Sequence, residues 1–152
     1  MHYMKLSTRS RYALRVLVEL ARRYGMGPVS LGEITWAQNL SLEYVESILR
    51  RLAKAGIVEL RRGPNGGGRL TRDPASLTVW EVLREVEDFE LVPCEKHPEG
   101  SPRCPKYNDC AARGFWAGLG NVVKAYLAGK TIADVARETN KTNSGQLFSY
   151  HI

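Results

Sequence analysis

The chain has 152 residues, about a quarter of them charged, and a formal net charge of +6. That length allows one sound hydrophobic core and is short for two. Three cysteines, an odd count, exclude a complete intrachain disulfide framework. The positive excess is uneven: residues 1–72 hold 13 Lys/Arg against 5 Asp/Glu, residues 73–93 hold 1 against 6, and residues 94–152 return to 8 against 5. A basic first half is the footprint of a polyanion-binding face. No signal peptide, long apolar run or lipidation motif is in view. The expected compartment is therefore the cytoplasm, without a membrane partner, where thiols stay reduced and available to metal.

Ser7 caps a first predicted helix that reaches about Tyr24 and ends at Gly25. Ala13, Leu14, Leu17, Ala21 and Tyr24 form its core stripe, widened by Val16, Val18 and Leu20. Arg9, Ser10 and Arg11 stand in the first turn, where cations and backbone N–H groups together can hold a DNA phosphate. A solvated basic turn is the plain alternative. Gly27-Pro28 then breaks the chain.

Residues Ser30 to Arg72 read as a winged helix-turn-helix. Ser30 and Glu33 have capping-box spacing at the start of a short helix reaching Ala37. Gln38-Asn39 is a polar turn, and Ser41 restarts a longer helix. There Val45, Ile48, Leu49 and Leu52 recur at helical spacing as the buried face, while Glu43, Glu46, Ser47, Arg50 and Lys54 fall on the other. Gly56 stands where a C-terminal glycine cap belongs. A strand from Ile57 to Arg62, the turn Gly63 to Gly68 and a return strand from Arg69 to Arg72 make the wing. An ordinary helical domain with one hairpin shares this periodicity. Arg61, Arg62 and Arg69, flanking so glycine-rich a tip, favour insertion beside a phosphate backbone or into a minor groove.

Asp73-Pro-Ala-Ser76 is a turn, and Thr78 with Glu81 makes another capping box. The following helix, Val79 to about Val86, packs through Val79, Leu83 and Val86, and its acidic end (Glu85, Glu87, Asp88, Glu90) is a solvated face. Pro93 to Cys110 is a loop, because Pro93, Pro98, Pro102 and Pro105 forbid a helix interior or a central strand. From about Ala111 a helix resumes with Phe115, Leu119, Val122, Val123, Tyr126 and Leu127 on one stripe, bordered by Trp116. Such a stripe is either core or a dimerisation helix, since two-fold operators need a two-fold protein. Thr131 to about Thr139, with Asp134 in its capping box, is a last short helix.

The expected fold class is mainly α with a small β wing. Its parts are a winged helix-turn-helix over residues 4–92, a cysteine loop over 93–110, a dimerisation helix and short C-terminal helix over 111–139, and a disordered tail over 140–152.

All three cysteines, Cys94, Cys104 and Cys110, lie in that loop. Their spacing lacks the paired C-x2-C knuckles of structural zinc and differs from common ferredoxin runs. Three soft donors in one reducing, proline-rich loop still suit an iron–sulfur cluster, zinc or Cu(I). Free cysteine is usually buried, which counts against three incidental surface thiols. Enzyme constellations are absent. The histidines are His2, His97 and His151, and there is no G-x-S-x-G, no H-E-x-x-H and no phosphate-binding glycine loop. Neither catalysis nor a small-molecule substrate is expected.

Several stretches together resemble the IscR family of small bacterial winged-helix repressors. These are Met4-Lys-Leu-Ser7 with Arg11-Tyr-Ala13, Ser41-Leu-Glu-Tyr-Val-Glu46, Arg62-Gly-Pro-Asn-Gly-Gly-Gly68, Val79-Trp-Glu-Val82, and the three-cysteine loop before Phe115-Trp116. The resemblance implies a homodimer on a long crossed helix, with a recognition helix in the major groove and a wing in the minor groove. It also implies an iron–sulfur cluster, expected as [2Fe-2S], that sets which double-stranded DNA operators are bound and so represses iron–sulfur assembly genes. Carried over by position, Glu46 is the sequence-discriminating glutamate, Glu43 and Ser47 its neighbours, and Arg62 the wing arginine. Cys94, Cys104 and Cys110 are the cluster ligands. The whole candidate DNA-binding set is Arg9, Arg11, Glu43, Tyr44, Glu46, Ser47, Arg50, Arg62, Gly63 and Pro64.

Two features depart from that pattern, and one is a longer gap between the first two cysteines. Arg113 stands where the family has a histidine three residues after the last cysteine, which leaves His97, Glu95 or Asp109 as local fourth donors. Relatives such as nitric-oxide sensors take a carboxylate from the partner's first helix, but no acidic residue precedes Glu19 here. A nitric-oxide or redox sensor on the same cysteines is the alternative within the family. A zinc-stapled interaction domain is the alternative outside it.

Overall fold

The computed structural model describes residues 7–86 and 105–143. Six helices and one two-stranded sheet follow in order: α1 (Thr8–Arg22), α2 (Leu31–Gln38), α3 (Leu42–Lys54), β1 (Val58–Arg61), β2 (Gly67–Leu70), α4 (Val79–Val86), α5 (Arg113–Ala128) and α6 (Ile132–Asn143). A 3-10 turn at Pro74–Ser76 precedes α4. The expected class, mainly α with a β wing, is the one observed.

Helix starts are set by the hydroxyl caps. Ser7 Oγ accepts from Ser10 N, and Ser41 Oγ accepts from Tyr44 N. At α2, Ser30 and Glu33 exchange both capping-box bonds. Thr78 with Glu81 and Thr131 with Asp134 repeat that reciprocal pattern at α4 and α6. Each cap satisfies a backbone donor the helix would leave orphaned, a contribution of about 1 kcal/mol. Ends are marked as clearly: Asn39 takes the left-handed conformation after α2 (φ 49°) and Gly56 does so after α3 (φ 73°).

α1 runs through the middle of the body and packs on α2, α3, α4, α6 and β2. Its Ala13, Val16, Leu17 and Leu20 join Ile34 of α2, Val45, Ile48, Leu49 and Leu52 of α3, and Val79, Val82, Leu83 and Val86 of α4 in one buried core. Burial of each such side chain is worth about 1.5–3 kcal/mol, so α3 is held by its apolar face and leaves the opposite face to water. Tyr24 departs from the expected stripe and is 46% exposed. α1 ends at Arg22, so the helical period no longer places Tyr24 over the core. A buried carboxylate, Glu19, is held by Gln38 Nε2 at 3.2 Å and by Arg22 and Arg23 at 3.5 and 3.7 Å. Those partners are what allow it to stay inside.

The return strand of the wing begins at Gly67, not Arg69. β1 and β2 pair antiparallel with Val58 opposite Leu70 and Arg61 opposite Gly67. Val29 adds a third, one-residue edge, exchanging N–H···O bonds of 2.9 Å with Gly68 in both directions. This close approach explains the glycines: a Cβ on Gly67 would lie 2.0 Å from the Val29 carbonyl oxygen, and one on Gly68 would press on Leu49 at 3.3 Å.

α6 is stitched to the start of α4, where Val79 N donates to Lys130 O at 2.8 Å and Ile132 N to Leu77 O at 2.9 Å. It continues to Asn143, so Asn140–Asn143, expected in the tail, is helical. Residues 144–152 of that tail, Met4 to Leu6, and the acidic Glu87, Asp88 and Glu90 lie outside the described residues.

Candidate nucleic-acid interface

Glu46 and Arg50 stand one turn apart on the solvent face of α3. Arg50 Nη2 donates to the Glu46 carboxylate at 2.6 Å. A groove runs from there to the wing, lined by Leu31, Leu49 and Leu60 below and by Glu46, Arg50, Arg61 and Arg62 at its sides. Three guanidinium groups and one carboxylate thus share one concavity between helix and wing. Glu43 and Ser47 are exposed beside them.

The wing tip is a β-turn closed by Gly66 N donating to Gly63 O at 2.9 Å. Gly63 is left-handed (φ 105°), and a Cβ on Gly66 would fall 2.2 Å from the Arg61 carbonyl oxygen, so the tip demands both glycines. Gly63 and Pro64 are exposed at the end of the hairpin. Arg69, grouped by sequence with Arg61 and Arg62, is differently employed. Its Nε and Nη2 both bond the Glu59 carboxylate across the strands, at 2.9 and 2.7 Å.

The second turn of α1 lies beside the first turn of α3. Tyr12 and Tyr44 meet edge to face with ring centroids 5.4 Å apart, and the Arg15 guanidinium sits 5.1 Å over the Tyr12 ring. Arg15 also donates to the Gln38 carbonyl and, at 3.2 Å, to its Oε1. Tyr44 is consequently half-buried, with Tyr12 and Arg15 behind it. Arg9 and Arg11 are exposed, whereas Ser10 is buried and its N–H is already taken by the Ser7 cap. Tyr12 and Arg15 are not among the candidate residues that the sequence offers for this face. Their signal, an aromatic and a cation at i and i+3 on α1, is too common to single out.

Two surface carboxylates of the body are strongly acidic. Arg23, bonded at 2.7 Å, and the Ser30 cap lower Glu33 to about 2. Arg72, also at 2.7 Å, and the Thr78 N–H lower Glu81 to about 2.

Of the three cysteines only Cys110 is among the described residues. It is a free, half-buried thiol three residues before α5. Cys94, Cys104, Glu95 and His97 lie outside them. Asp109 is exposed next to Cys110. Arg113 stacks 4.8 Å over the Tyr107 ring and donates to its carbonyl at 3.0 Å. A guanidinium carries no lone pair to give a metal at neutral pH, so Arg113 does not substitute for a histidine ligand. No group of three His, Cys, Asp or Glu comes together among the described residues. Of the thiols that would suit a soft metal centre, the described residues place Cys110 alone, three residues before α5.

α5 carries an apolar stripe to the surface. Phe115 and Val122 are 70% and 67% exposed, Trp116, Leu119 and Tyr126 are exposed too, and only Val123 and Leu127 are partly covered. No helix of the described residues is long and apolar enough to cross a membrane.

Recognition helix, glycine-tipped basic wing and a two-strand antiparallel sheet together define a winged helix-turn-helix DNA-binding protein. The chain belongs to the Rrf2 family, described as iron-dependent transcriptional regulators, whose model matches residues 6–138. Similar relatives include the HTH-type transcriptional regulator CymR of Bacillus subtilis, 33% identical over 145 residues, covering 95% of this chain and 99% of that one. Another is the HTH-type transcriptional regulator IscR of Photobacterium profundum, 32% identical over 138 residues, covering 90% and 78%. The solved structure of T. potens IscR superposes with a TM-score of 0.73 at 27% identity, covering 97% of each chain. The protein is a DNA-binding transcriptional regulator and not an enzyme.

Proposed function

We propose that the chain acts as a homodimeric repressor whose operator binding is governed by an iron–sulfur cluster held by Cys94, Cys104 and Cys110, with iron–sulfur assembly genes as targets. The observation that carries the reading is the position of Cys110, at the foot of an apolar helix that the single chain leaves uncovered. The family's description as iron-dependent supports it. A cluster there would supply a group whose presence reports iron supply and redox state. The chain's own residues do the rest: α3 enters the major groove with Glu43, Tyr44, Glu46, Ser47 and Arg50, while Arg62, Gly63 and Pro64 bring the wing to the backbone or minor groove. Arg9 and Arg11 hold a phosphate beside α3. The exposed face of α5 is read as the seam with a second copy.

Anaerobic purification followed by iron, sulfide and zinc analysis tests the cluster directly. Visible absorption with stoichiometric iron and sulfide is expected, and Cys94→Ala, Cys104→Ala and Cys110→Ala should each lose it while keeping the fold. Zinc in place of iron would indicate a regulator whose loop is stapled by zinc and not governed by a cluster. Release of operator on exposure to nitric oxide would assign the site to nitric-oxide sensing.

A second reading is favoured by the similarity to CymR, whose solved structure is described as the global cysteine regulator of B. subtilis. A regulator of that kind needs no metal at these thiols, and metal-free protein with full operator affinity would support it.

A further inference from the structure

Gln38, the last residue of α2, is tied to α1 three times. Its Nε2 donates to the buried Glu19 carboxylate at 3.2 Å, and its Oε1 accepts from Arg15 Nε at 3.2 Å. Its backbone carbonyl accepts a further bond from Arg15 Nη2. Only one orientation of the amide serves both partners, since a flip would set its N–H groups against a guanidinium and its oxygen against a carboxylate. Asn39 follows in the left-handed conformation, and Ser41 then caps α3. On the other side of that turn Tyr44 meets Tyr12 of α1 edge to face, and the Arg15 guanidinium lies over the Tyr12 ring. Arg15 therefore holds the residue before the turn directly and backs the ring that meets the first turn of α3.

Helix α1 is a firm mount for such a brace, because it packs on α2, α3, α4, α6 and β2. Within the core α2 and α3 meet through apolar side chains, and burial has no preferred direction. A charge-assisted fork of hydrogen bonds does have one. Glu43, Tyr44, Glu46 and Ser47 all lie in the first half of α3, next to the braced turn. We infer that Arg15 is a positioning residue for base recognition: through Gln38 and Tyr12 it fixes the direction in which that half of α3 points. The inference rests on the placing of α3 in the major groove proposed above and is independent of the cluster. The fork is exposed, so it adds little to stability. Its loss is felt in discrimination instead, because base contacts carry the sequence information and need exact aim.

The test uses the full chain, an operator recovered by the wild type from a random DNA pool, and a scrambled duplex of the same length. Two quantities are read: the ratio of Kd for scrambled duplex to Kd for operator, and the slope of log K against log salt on the scrambled duplex. In the wild type the ratio should be at least about a thousandfold, falling about tenfold in Arg15→Met, on the order of one mismatched base pair. The salt slope should stay as it was. Arg15→Lys keeps the charge but cannot offer the planar fork, so it should lose discrimination as well. Melting curves check folding, and Arg15→Gln replaces Arg15→Met if that variant does not fold. A residue that only held the fold together would weaken binding to both duplexes alike and leave the ratio untouched. An unchanged ratio in the uncharged variant, or a ratio restored in full by Arg15→Lys, overturns the inference. So does a salt slope lower by about one in Arg15→Met, which would make Arg15 a phosphate contact. A wild type that does not prefer its operator overturns the major-groove placing of α3 and this inference with it.

Discussion

Arg50 neutralises Glu46 across one turn of the recognition helix, at 2.6 Å, in the absence of DNA. A carboxylate facing phosphates is repelled by them, and this partner cancels that repulsion. Exposed pairs of this kind are worth only a few tenths of a kcal/mol, so the pair opens at small cost when a base offers more. A cytosine amino group offers a donor to Glu46, while bases presenting only acceptors are penalised. Glu46→Ala is therefore expected to broaden the sites recovered from a random DNA pool and to leave affinity for cytosine-poor sites equal or higher. Recovery of the same consensus at the same stringency would reduce Glu46 to a surface residue.

Arg62 lines the same groove from the wing. Arg62→Ala should weaken binding to DNA of any sequence and lower the slope of log K against log salt by about one. Arg69→Ala, removing a guanidinium held by Glu59, should leave that slope nearly alone. Titrations at several salt concentrations measure both, and equal slopes in wild type and Arg62→Ala would take the wing off the DNA.

Acid should loosen the body in a defined window. Glu33 and Glu81 have folded-state values of about 2, below the usual carboxylate range near ~4.3. Groups lowered in this way contribute stability that is full above the unfolded value and is lost as pH falls toward the folded one. Melting temperature should therefore drop between about pH 4.5 and 2, and Glu33→Gln with Glu81→Gln should flatten that drop. At neutral pH Glu81→Gln is expected to cost on the order of 0.5–1 kcal/mol, solvent screening allowed for. A pH profile unchanged by both substitutions would mean that neither cap is tightened by its arginine.

The exposed stripe of α5 makes a prediction of its own. Covering Phe115, Leu119, Val122 and Tyr126 against a second copy is worth about 1.5–3 kcal/mol per side chain, as an upper estimate. Val122→Glu puts a charge into that seam and should shift the protein from dimer to monomer in light scattering, with its helical signal retained. A Val122→Glu protein that stays dimeric at micromolar concentration places the seam elsewhere.

What could be read in the sequence was what local chemistry decides. Ser30 with Glu33, Thr78 with Glu81 and Thr131 with Asp134 announce helix starts because the partners lie three residues apart, and the α3 stripe announces its buried face by period. Contacts between distant segments left no such mark. Nothing near Val29 signals its pairing with Gly68, so the wing glycines read as a loose loop when two of them belong to a strand. Arg69 shares the sequence signature of Arg62, and only the fold sets Glu59 opposite it. The 3.0 Å hydrogen bond from Arg51 Nη1 to the Val86 carbonyl leaves no trace in the sequence, since its acceptor is a backbone carbonyl 35 residues away and every residue has one.

The bond between Val29 and Gly68 turns the helix and wing into a caliper with a fixed gap. The return strand is sewn to the segment that opens α2, and α3 packs on α2 in the shared core, so the two jaws are held at one spacing. A reader of this build fits best a duplex whose grooves match that spacing. The duplex must bring its grooves to the protein, at a bending cost set by sequence. Operators are then sorted partly by base steps that neither jaw touches, and two sites with identical contacted bases should differ in affinity when the steps between them differ in stiffness.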